Sequence, residues 1–76
     1  MFTLALNRVT GMFQSGKYAY AGQFLYAKFY TIEDAKAHVT EEFKLGYYNH
    51  ATICNRNDDI NIERFKGHDW TIAKED

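Results

Sequence analysis

The sequence predicts an α+β fold: a single antiparallel β-sheet of four to five strands with one α-helix packed on one face, in the order β-β-α-β-β-β. Three observations lead there. A fourteen-residue stretch beginning at Ile32 has helical periodicity and a signal at each end. The segments on either side alternate apolar and polar residues, or carry runs of Tyr and Phe, as strands do. The chain contains no proline, so every residue after the first can donate to a backbone ladder.

Length and composition set the frame. Seventy-six residues allow one domain, 1–76. A chain this short buries only about 60% of the surface its unfolded form exposes, so its core is small. A hydrophobic content of 46% places it among globular rather than disordered chains. Cys54 is the single cysteine, which excludes an internal disulfide and fits a reducing compartment. The opening "MFTLALNRVT" has neither a charged leader nor a long apolar run. A signal peptide and a membrane span are therefore not expected, and a cytoplasmic location is. Nine basic residues against ten acidic ones argue against a general polyanion binder, although a local basic patch remains compatible.

The helix is expected over about 32–45. Thr31 is placed to cap it, with Asp34 three residues on, and Glu33 and Asp34 sit where the helix dipole favours negative charge. Ile32, Ala35, Val39 and Phe43 fall on one face. Lys44 and Gly46 are stop signals.

Before the helix, a two-residue turn at Ser15-Gly16 would make a long hairpin. Gln14 then faces Lys17. Phe2 faces Phe29, Leu4 faces Ala27 and Leu6 faces Leu25, apolar pairs that share one side. The other side pairs Ala5 with Tyr26, Asn7 with Phe24, Gly11 with Tyr20 and Phe13 with Tyr18. Such strands exceed the usual ~3–10 residues, and Gly11 and Gly22 would supply a bend or bulge. The competing turn at Gly22-Gln23 sets Lys17 against Lys28, a like-charge pair, and is disfavoured.

After the helix, "HATICN" and "INIERF" flank a polar turn and set Ile53 against Ile62. A tight turn at Gly67-His68 would then set Phe65 opposite Trp70 and Lys66 opposite Asp69.

One helix covers one side of a sheet. Phe13, Tyr18, Tyr20, Phe24, Tyr26, Phe65 and Trp70 then fall on the other, as a partner-binding surface of residue types enriched at interface hot spots. The alternative is a second small core, with the twisted hairpin folded over its own sheet. The partner expected is a protein, with a homodimer as another form of the same use. A single-stranded nucleic acid is the rival. In "GKYAYAGQF" basic and aromatic residues interleave, which resembles the base-stacking sheet motif of RNA-recognition domains, with Arg8, Lys17 and Lys28 as candidate phosphate contacts. That motif's glycines are replaced here by Tyr and Ala.

No catalytic or metal motif stands out, so neither an enzyme nor a cofactor is expected. His38, His50, His68 and Cys54 show no ligand spacing. Cys54 reads as a half-buried strand thiol, and Asp58-Asp59 as a solvated turn.

A compact antiparallel sheet with one helix, entered by "TIEDAKAH" and closed by "RFKGHDW", resembles small phage-encoded accessory proteins of the anti-CRISPR type in layout. The resemblance implies a non-enzymatic inhibitory protein that occludes a surface on a host complex such as CRISPR-Cas. It carries over no functional residue.

Overall fold

A computed structural model describes residues 1–73, Gln23 by its backbone alone. These residues form β1 (Phe2–Met12), β2 (Tyr18–Phe29), α1 (Ile32–Leu45), β3 (His50–Asn55), β4 (Ile60–Phe65) and β5 (Thr71–Ile72). The five strands make one antiparallel sheet in the order β2-β1-β3-β4-β5. The α+β class, the element order and the single helix are as the sequence predicts.

The helix is built by local signals. Thr31 is extended, and its side chain accepts from the Asp34 amide at 3.1 Å. Gly46 ends the helix at φ 83, in the left-handed region that suits glycine. Ala35, Val39 and Phe43 are buried and Ile32 is half-buried, on the stripe the spacing defines. They pack against Leu4, Leu6, Ala51 and Ile53, which share one side of the sheet. Burying a side chain of the Leu, Val, Ile or Phe type contributes roughly 1.5–3 kcal/mol each, so this cluster is the main source of stability.

The first hairpin begins in the expected register, with Phe2 opposite Phe29, Leu4 opposite Ala27, Ala5 opposite Tyr26 and Leu6 opposite Leu25. It then departs. Register shifts fall between Leu6 and Arg8 and between Val9 and Gly11, so Val9 faces Tyr20, Gly11 faces Ala19 and Met12 faces Tyr18. Asn7 and Phe24 are not partners, nor are Gly11 and Tyr20. Gly22, at φ 79, takes up the first shift, on the opposite strand from Asn7. The turn is also one residue longer than expected. The Phe13 amide donates to the Lys17 carbonyl at 2.7 Å, and Gly16, at φ 90, donates to the Phe13 carbonyl at 2.9 Å. That is a three-residue loop, Gln14-Ser15-Gly16, with the last residue left-handed.

The β3–β4 hairpin sets Ile53 opposite Ile62 as expected. Its turn is closed by Asn55, whose Oδ1 accepts from the Asn57 amide at 3.0 Å. The last hairpin differs by one residue. Glu63 faces Thr71 and Ile62 faces Ile72, so Phe65 and Trp70 are not opposed. A one-residue slip moves a side chain to the other side of the sheet. Trp70 accordingly packs against the helix-side core, with Lys36 Nζ 5.7 Å from its ring centroid. Cys54 is exposed rather than half-buried, because the strand positions beside it on that side, Thr3 and Asn61, carry short polar side chains.

Candidate functional site: a polar cluster under an aromatic cap

The side of the sheet away from the helix has a buried polar centre. Strand alternation puts Asn7 on that side of β1, His50 and Thr52 on that side of β3, and Glu63 and Phe65 on that side of β4. Asn7 and His50 are directly opposed. His50 and Glu63 are diagonal neighbours, close enough for two long side chains to meet. His50 Nε2 lies 2.9 Å from Glu63 Oε2, and Asn7 Nδ2 lies 2.6 Å from His50 Nδ1. All three residues are buried, His50 almost completely.

A carboxylate oxygen accepts, so His50 Nε2–H donates to Glu63, and the Asn7 side-chain amide meets the other ring nitrogen. Both ring nitrogens are engaged within the cluster, so neither faces a substrate as a free base.

Aromatic rings cover the cluster. The rings of Tyr18 and Phe65 lie 5.4 Å and 4.6 Å from the imidazole. Tyr18 and Phe65 meet edge to face at 5.4 Å. The Tyr18 hydroxyl donates a long bond of 3.4 Å to Glu63 Oε1. Burial first, and then the Glu63 carboxylate, push the Tyr18 phenol above its usual value of 10.0. The hairpin thus folds over its own sheet, and part of the aromatic side is a second small core.

From this cap a row of rings runs outward along β2. Tyr18 to Tyr20, Tyr20 to Phe24 and Phe24 to Tyr26 stand 6.3, 4.9 and 6.0 Å apart, all close to edge on face. Exposure rises from 44% at Tyr20 and 41% at Phe24 to 62% at Tyr26. Phe13 lies exposed beside the hairpin tip. Of the seven aromatics expected to share a surface, Tyr18, Tyr20, Phe24, Tyr26 and Phe65 form one connected set. Trp70 does not belong to it, because the last hairpin turns it to the helix side.

The three candidate phosphate contacts are not brought together. Lys17 is at the hairpin tip, and Lys28 lies beside Thr3 at the far end of β2. Arg8 is on the helix side, where its Nη1 donates to the Gly46 carbonyl at 3.2 Å. It there complements the negative end of the helix dipole.

Asn49 was not singled out by its sequence context. Its side chain bonds Val9 as a strand backbone would, Oδ1 to the Val9 amide at 2.7 Å and Nδ2 to the Val9 carbonyl at 2.8 Å. It extends the β1–β3 pairing one step beyond His50, where β1 starts to bend. The Asn7–His50–Glu63 cluster was also missed. Its signal was legible only in part, as polar residues at alternating positions inside otherwise apolar strands.

Among the described residues no group of His, Cys, Asp or Glu is arranged to hold a metal ion. Among them, too, no helix is long and apolar enough to cross a membrane. No family model, no curated protein and no solved structure matches the chain.

Proposed function

We propose that this chain is a small non-enzymatic binding protein whose aromatic row on β2 docks on a partner protein and occludes part of its surface. The observation that carries this reading is that Tyr20, Phe24 and Tyr26 are all exposed side by side on an outer strand of the sheet. Edge-to-face packing holds these rings in place before any partner arrives, which lowers the ordering cost of binding. Tyr and Phe in such a setting supply large contact area with few rotors to freeze. Occlusion of a host complex, as an inhibitor acts, is the use that the phage-accessory layout implies.

Base stacking is less well supported. A nucleic-acid track needs cations along the rings, whereas Arg8 lies across the sheet and a buried carboxylate sits under Tyr18. The test compares the wild-type chain with Tyr26→Ser and Phe24→Ser in capture from bacterial lysate, with and without nuclease. The reading expects a defined protein that survives nuclease and is lost with either variant, while both variants keep wild-type thermal stability within a few degrees. Retention by the variants overturns it. Loss of every partner on nuclease treatment transfers the row to nucleic acid.

One observation favours self-association as a second reading. β2 is a twelve-residue strand with no strand on its outer side among the described residues, and Lys28 is its one charged residue. Long edges with so little charge pair readily with copies of themselves. A melting temperature that climbs with protein concentration supports that reading, and a concentration-independent monomer removes it.

A further inference from the structure

We propose that the cleft under the hairpin tip is a binding site for a small organic cation, a primary ammonium or guanidinium group, with the Glu63 carboxylate as its counter-charge. The cleft has a volume of about 270 Å³ and is lined by Lys17, Tyr18, Tyr20, Thr52, Asn61 and Glu63 among others. This is below the ~300–1,000 Å³ of pockets that hold drug-sized ligands, so it suits a side-chain-sized group.

Charge decides the ligand class. Glu63 is 6% exposed, and its Oε2 accepts from His50 Nε2 at 2.9 Å. Among the described residues no Lys or Arg makes an ion pair with it. A buried carboxylate held by an imidazole and a phenol, with no Lys or Arg beside it, is a place where a cationic ligand offsets the cost of desolvation.

The remaining lining fits this class. Tyr18 and Tyr20 present rings at 82° to one another, and ring faces attract ammonium and guanidinium groups. The Thr52 hydroxyl and the Asn61 amide oxygen are acceptors for the N–H groups that Glu63 does not take. An anion would instead meet the Glu63 carboxylate. Lys17 also lines the cleft and opposes a cation, which predicts that its removal tightens binding.

The same chemistry can come from a free small molecule or from a basic side chain of a bound protein. The probes are methylguanidinium, n-butylammonium and N-acetyl-arginine methylamide, with n-butanol as a neutral control, titrated at low salt and fixed ionic strength. NMR resonances of the His50 ring, Tyr18 and Thr52 report binding. Both simple cations should give saturable shifts that butanol does not. Glu63→Gln, which keeps an acceptor for His50 Nε2–H, should weaken them roughly 10-fold or more. Lys17→Gln should strengthen them severalfold.

An arginine derivative that binds at least ~10-fold tighter than methylguanidinium assigns the site to a protein side chain. Equal affinity assigns it to a free cation. Absence of saturable shifts, equal shifts with butanol, or unchanged binding in Glu63→Gln overturns the site. If Glu63→Gln fails to fold, Lys17→Gln decides, and binding that does not tighten overturns it. Tyr26→Ser should leave cation binding intact, so this site and the partner-docking row stand or fall separately.

Discussion

The Tyr18 hydroxyl lies 3.4 Å from Oε1 of Glu63, although β2 and β4 stand three places apart in the sheet. Three strand spacings amount to roughly 14 Å in a flat sheet, more than a tyrosine side chain spans. The contact therefore requires the hairpin tip to curl over the sheet. The register shifts beside Asn7 and Val9 supply that curl, because bulges increase local bend and twist.

Tyr18 closes the curl with its ring more than with its hydroxyl, since a bond of 3.4 Å is long for two oxygens. Tyr18→Phe should cost no more than about 0.5–1 kcal/mol. Tyr18→Ala, which removes a half-buried ring from three others, should cost about 2 kcal/mol or more. Urea unfolding of the two variants separates ring from hydroxyl. Equal losses would mean that the bond, not the packing, holds the tip.

Alkaline pH should loosen the same contact. The Tyr18 phenol is neutral when protonated, and folding raises its proton affinity above the value of 10.0. The stabilising contribution is therefore complete below pH 10.0 and is lost as pH climbs through the higher folded value. The melting temperature of the wild-type chain should fall more steeply above that pH than that of Tyr18→Phe. Parallel curves would contradict the assignment.

His50 and Glu63 should behave as one buried unit. Glu63→Ala leaves the His50 Nε2–H without an acceptor, and His50→Ala leaves a buried carboxylate. Each should cost about 3 kcal/mol or more. The double variant should cost clearly less than the sum, by about 1 kcal/mol or more. A double-mutant cycle in urea measures this, and strict additivity would show that the two groups do not interact.

Asn49→Ala removes two bonds and leaves the amide and carbonyl of Val9 unpaired at the start of the bend. The expected loss is about 2 kcal/mol. Faster amide exchange should be confined to Val9 and its neighbours toward the hairpin tip, with the helix unaffected. Uniform acceleration would assign Asn49 a general role instead.

Trp70 is the single tryptophan and reports the helix side. Its fluorescence should respond to Lys36→Ala, which removes the cation beside the ring, and be indifferent to Phe24→Ser on the far side. The opposite response would restore Trp70 to the aromatic row.

The helix and its buried stripe were legible in the sequence because they rest on contacts within three or four residues: Thr31 with Asp34, Gly46 with Phe43, and the run Ala35, Val39, Phe43. The inner half of the first hairpin was legible too, since its apolar pairs admit one register. Beyond Leu6 the pattern is equally aromatic on either reading, and hydrophobicity does not specify where a strand gains a residue. Trp70 was misplaced for a similar reason, by a single residue in a turn whose flanks are all polar or aromatic.

By itself the sequence determined the fold class, the element order, the helix ends and the side of the sheet the helix covers. Each of these follows from local propensity or from strict periodicity. The tertiary structure alone decided that Asn7, His50 and Glu63 meet, that Tyr18 seals them, and that Tyr20, Phe24 and Tyr26 extend outward from the seal. Those residues come from four strands and bond across up to forty-five positions, and their meeting depends on a bend that no local pattern encodes.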